Sequence, residues 1–121
     1  MSVAVQTREG ALILDSHKLS YHMDRVEAWE AGERIAPVSV DMALTRACGA
    51  MCSFCYAIMQ ESQARSSVSV PRALNLLDDF ATVGIRSVSL VSDGESTLSN
   101  AYVPFIQHAA QLGIDVGNAT N

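Results

Sequence analysis

Residues 71–91, PRALNLLDDFATVGIRSVSLV, pass from a helical pattern to a strand pattern across a single glycine. Pro71 suits the first turn of a helix, where its missing N–H costs nothing. Leu74, Leu77, Phe80 and Ala81 then recur at helical spacing as a buried stripe, and Gly84 ends it. Ile85 to Val91 follows as a strand, with Ile85, Val88, Leu90 and Val91 apolar, until Ser92-Asp93-Gly94-Glu95 breaks it. The same order returns downstream. A helix is expected from Tyr102 or Val103, with Pro104 in its first turn and Phe105, Ile106, Ala109 and Leu112 on its inner face. Gly113 closes it, and Ile114 to Ala119 reads as a strand. Upstream, beyond Pro37, the apolar and β-branched run Val38 to Leu44 reads as a strand too.

Strand, helix, strand, helix, strand is the pattern of an α/β fold: about three parallel strands joined by right-handed crossovers, with the helices outside. Residues 38–121 carry it. Residues 1–37 form a lead-in with one helix, expected over Ser20 to Ala31 from the spacing of Met23, Val26 and Trp29 and stopped by Gly32. Residues 1–15 read as loose chain, with Ala11–Leu14 as an edge strand. Trp29 and His22 are expected to fix the lead-in helix on the core. Parallel strands share a direction, so the segments after them share one edge of the sheet. The cysteine loop, Asp93-Gly94-Glu95 and Thr120-Asn121 are therefore expected to meet there.

Composition narrows the function. A chain of 121 residues with 49% hydrophobic content can fill one core. No apolar run is long enough to cross a membrane, and the start from Met1 to Gly10 lacks the basic front and apolar block of a secretory signal. The cytoplasm is the expected compartment. The net charge of −5, with only 8 Lys and Arg and no basic cluster, argues against a nucleic-acid binder.

The 3 cysteines are an odd number, and all fall within Cys48-Gly49-Ala50-Met51-Cys52-Ser53-Phe54-Cys55. Thiols crowded on one short loop in a reducing compartment point to a shared metal rather than to disulfides. Thiolates are soft ligands suited to iron–sulfur clusters or zinc. Three of them leave one iron of a cubane without a protein ligand, and an open position is where chemistry happens. Zinc would need a fourth ligand. His17, His22 and His108 are the candidates, and none stands at ordinary finger spacing. Met51 reads as a packing residue, and His108 as a partly exposed helix residue.

The spacing Cys-x3-Cys-x2-Cys, with Phe54 before the last cysteine, resembles the signature of the radical S-adenosylmethionine (SAM) family. The resemblance covers roughly residues 38 to 121. It implies a 4Fe–4S cluster on Cys48, Cys52 and Cys55, and SAM chelated to the unique iron. It also implies reductive cleavage of SAM to a 5′-deoxyadenosyl radical that abstracts hydrogen from a substrate, here unknown. A reductant such as a flavodoxin or ferredoxin is implied as electron donor. The family's core is a partial (β/α) barrel, three-quarters of a TIM barrel, of which residues 38–121 would be the first three β/α units. A second chain supplying the missing half is one way to complete it.

Within the resemblance, Ser92-Asp93-Gly94-Glu95-Ser96 takes the place of the family's Gly-Gly-Glu-Pro stretch, with Asp93 for the first glycine and Ser96 for the proline. Gly94 and Glu95 would contact the SAM amino group, and the segment at Phe54 would lie beside adenine. Thr120-Asn121 resembles the end of the family's third strand. Each has a plain alternative: an Asp-Gly turn, a strand terminus, or Phe54 and Tyr56 as core aromatics packing the loop on the sheet. A non-catalytic iron–sulfur or zinc module, or an inactive remnant, is the alternative for the whole.

Overall fold

The computed structural model describes residues 3–7, 10–14, 18–56, 66–91 and 94–120. Contacts divide the chain into two compact units, Met1–Ile35 and Ala36–Asn121.

In the first unit, β1 (Val3–Thr7) pairs antiparallel with β2 (Gly10–Leu14), in a register that runs from Val3 opposite Leu14 to Thr7 opposite Gly10. The expected edge strand at Ala11–Leu14 is thus one arm of a two-stranded hairpin. A 3-10 turn at Lys18–Tyr21 precedes α1 (Met23–Glu30), which delays the helix by three residues relative to Ser20. Gly32, at φ +82°, turns the chain out of it. The expectation for Trp29 does not hold: α1 buries none of its residues, and Trp29 is 65% exposed. Asp24, Arg25, Glu27 and Glu30 leave this short helix too narrow an apolar stripe to bury.

The second unit is an α/β layer. Strands β3 (Ser39–Asp41), β4 (Ser87–Leu90) and β5 (Asp115–Asn118) form a parallel sheet in the order β3-β4-β5. Helix α2 (Val70–Val83) connects the first pair, and α3 (Tyr102–Leu112) the second. Pro71 lies in the first turn of α2. Both helices end alike. Gly84 at φ +83° and Gly113 at φ +71° adopt the left-handed conformation, which costs other residues a steric clash. The next residue then donates its N–H five positions back, Ile85 to the Phe80 carbonyl and Ile114 to that of Ala109, each at 2.9 Å. Each joint places a buried isoleucine at the entrance of a strand.

Register aligns Val40, Val88 and Val116 in one row. Val88 and Leu90 are both 1% exposed and point to the side where Leu77 of α2 and Phe105 and Ala109 of α3 complete the core. Strand alternation puts Ser39, Asp41, Ser87, Ser89, Asp115 and Gly117 on the opposite face. One face of the sheet is apolar and covered; the other carries small and polar residues. Between the two helices, His108 Nε2 lies 2.7 Å from Asp78 Oδ1, so His108 ties α3 to α2.

Candidate metal centre

Beyond Asp41 the chain extends β3 for one further bond, from Met42 N–H to the Ser89 carbonyl at 2.9 Å. It then leaves β4 and pairs with itself. Arg46 N–H donates to the Ser66 carbonyl (2.9 Å) and Val68 N–H to that of Leu44 (2.8 Å), an antiparallel bridge centred on Thr45 and Ser67. This departure explains why the strand expected to reach Leu44 stays in the sheet only to Asp41. Thr45 is 3% exposed, and its hydroxyl lies 2.6 Å from Ser67 Oγ while accepting the Ala47 N–H at 3.1 Å. The cysteine loop is therefore closed at its base on the C-terminal edge of the sheet.

On that loop Cys48 is exposed, and Cys52 and Cys55 are half-buried. Cys55 N–H donates to the Cys52 carbonyl at 3.0 Å, and Met51 adopts a left-handed φ of +48°. Among the described residues, no three His, Cys, Asp or Glu side chains are gathered closely enough to hold a metal ion. The donor chemistry nevertheless suits a thiolate-held cluster: three thiols share eight residues of one loop, and each is at least partly open to solvent. Phe54 is 90% exposed, Met51 78% and Tyr56 61%, so none packs the loop onto the sheet. The packing roles expected for these three do not fit that exposure.

The loop after β4 meets the root of the cysteine loop. A Cβ on Gly94 would lie 1.9 Å from the Thr45 carbonyl oxygen and 2.9 Å from Arg46 Cα, so only glycine fits. Its close approach is to the chain's own backbone. The next residue secures the contact, with Glu95 N–H donating to the Ala47 carbonyl at 2.9 Å, one residue before Cys48. Glu95 Oε1 accepts from Thr97 N–H (3.1 Å), Thr97 Oγ1 (2.7 Å) and Thr120 Oγ1 (2.8 Å). The carboxylate thereby caps the 3-10 turn Ser96–Leu98 and reaches the segment after β5. Ser96 is 4% exposed inside that turn. Three post-strand segments converge on one edge, as the parallel topology requires. Asp93, Asn121 and His17 lie outside the described residues.

Sequence reasoning missed Thr45 and Thr97. Their partners, Ser67 and Glu95, are set by tertiary contact or by a turn whose hydroxyls carry no period. The chain has no match among protein-family models, curated proteins or solved structures. Among the described residues no helix is long and apolar enough to cross a membrane.

Proposed function

We propose that this chain carries the first part of a radical SAM enzyme core, a partial (β/α) barrel whose opening three strands are β3, β4 and β5. Cys48, Cys52 and Cys55 would hold a 4Fe–4S cluster and leave its fourth iron to the amino and carboxylate groups of SAM. When bound and reduced, that cluster supplies the electron that cleaves SAM to methionine and the 5′-deoxyadenosyl radical for hydrogen abstraction from substrate. The observation that carries this reading is a juxtaposition: the Cys-x3-Cys-x2-Cys loop follows the first parallel strand, and Gly94-Glu95 after the second is seated on its root.

The chain's own residues have definable parts. Thr45 and its bonds to Ser67 and Ala47 hold the loop's two ends together, so that three thiols start from a fixed base. Gly94 lets the post-β4 loop lie against that base. Glu95 would offer a carboxylate to the ammonium group of the chelated amino acid, and Phe54, whose ring is exposed, would lie beside the purine. In a barrel of this kind the small and polar face opposite the helices would be the one turned inward. Further strands from a longer polypeptide or a second chain would complete it. An electron carrier such as flavodoxin or ferredoxin and a cytoplasmic setting belong to the same proposal.

One observation favours a second reading. Glu95 Oε1 is already engaged by Thr97 and Thr120, which suits a non-catalytic iron–sulfur or zinc-binding module. Anaerobic reconstitution with iron and sulfide, followed by dithionite reduction with SAM, separates the two. The enzyme reading expects 5′-deoxyadenosine and methionine from the wild-type chain and neither from Cys52→Ala. Iron uptake without SAM cleavage supports the binding module, and a preference for zinc excludes the cluster.

A further inference from the structure

Within the cysteine loop, residues 52–55 form a unit with chemistry of its own. The Cys55 N–H donates to the Cys52 carbonyl at 3.0 Å, so Cys52-Ser53-Phe54-Cys55 is a turn closed by a hydrogen bond between its ends. The end Cα atoms of such a turn lie within about 7 Å of each other, and a disulfide spans about 4.4–6.8 Å between Cα atoms. Exposure follows the turn. Ser53 and Phe54 at its tip are exposed, whereas Cys52 and Cys55 at its base are both half-buried. Two thiols therefore start from one turn base, on backbone already at bridging distance.

Cys48 is placed differently. It is exposed, it lies outside the turn, and the chain reaches Cys52 from it through Met51, whose φ of +48° changes the direction of the backbone. The anchors of the loop, Thr45 with Ser67 and Ala47 with Glu95, also lie outside residues 52–55. The buried core includes none of those four residues. A sulfur–sulfur bond across the turn therefore displaces neither the core nor the anchors.

We infer that Cys52 and Cys55 are a dithiol–disulfide couple, oxidised by a peroxide and restored by a thiol reductant, with Cys48 a thiol in both states. One sulfur attacks the peroxide: an S–O bond forms, the O–O bond breaks, and water leaves with the thiol proton. The second sulfur then attacks the first: the S–S bond forms, the S–O bond breaks, and a second water leaves. The two thiols have lost two electrons and two protons, and the peroxide has gained them. A disulfide within reach of solvent is of the labile kind, so thiol–disulfide exchange reverses the step. Where the three cysteines hold a cluster, oxidation removes two of its three ligands. That regulatory consequence rests on the function proposed above, whereas the couple itself does not.

The test uses the full chain, metal-free and fully reduced, treated with an equimolar amount of hydrogen peroxide, alkylated with iodoacetamide and mapped by tandem mass spectrometry. A disulfide joining Cys52 to Cys55 is expected as the main product, with Cys48 alkylated, and dithiothreitol is expected to return all three thiols. Cys55→Ser is expected to lower the yield of disulfide within the chain severalfold; circular dichroism checks that this variant and the oxidised chain are folded. Cys48 as a partner in the main disulfide, equal amounts of the possible pairings, thiols that stay reduced, or sulfinic acid formed without a disulfide overturns the inference. So does a Cys55→Ser chain that forms the wild-type yield of disulfide. Failure of iron uptake in the reconstitution experiment sinks the cluster and leaves these expectations intact; failure of the disulfide leaves the cluster reading standing.

Discussion

The two helix-to-strand joints and the cysteine loop are built on opposite principles. At Gly84-Ile85 and Gly113-Ile114 everything needed lies within six residues: a left-handed glycine, a bond reaching five residues back, and an apolar side chain that drops into the core. The cysteine loop keeps its most chemically distinctive residues in or near solvent and owes its position to contacts 20 or more residues away, Thr45 with Ser67 at its base and Ala47 with Glu95 beside it. The framework is locally determined and buried. The loop is held at its base, by Thr45 with Ser67 and Ala47 with Glu95.

Substitutions in the framework, at the junction and in the loop should therefore fall on a descending scale. Phe105→Ala removes a fully buried ring from the core and is expected to destabilise by about 3–5 kcal/mol in urea unfolding. Gly94→Ala strikes the junction. Its methyl group would meet backbone, which cannot step aside as a side chain can, so a loss of about 3 kcal/mol is expected, at the top of the overpacking range. Glu95→Gln keeps the shape of the cap but removes the charge that strengthens three hydrogen bonds, for a loss of about 1–2 kcal/mol. Replacing Cys48, Cys52 and Cys55 together by alanine should change metal-free stability by no more than about 0.5 kcal/mol, because none of the three is fully buried. A large stability loss from the triple variant would break the contrast. A Gly94→Ala chain that melts like wild type would show that the two loops are not packed on each other.

What was legible in the sequence follows the same division. Helices α2 and α3, their terminal glycines and the parallel alternation could be read from local signals, because each stripe and stop lies within one element. The hairpin of β1 and β2 could not: Arg8-Glu9 between its arms is not a turn dipeptide of the Asn-Gly or Asp-Gly kind. Trp29 misled, since an aromatic at helical spacing signals burial only where its neighbours extend the stripe, and charged residues surround it. At the site, the meeting of three segments follows from topology. The reason for Gly94 does not, because the backbone it touches is almost 50 residues earlier in the chain.

Electron paramagnetic resonance of the anaerobically reconstituted, reduced chain, recorded with and without SAM, tests most directly whether three thiolates leave one iron open. A cluster held by three thiolates predicts a reduced-cluster signal whose shape changes when SAM is added and which is absent from Cys52→Ala. A signal indifferent to SAM, or one that survives in Cys52→Ala, would contradict it.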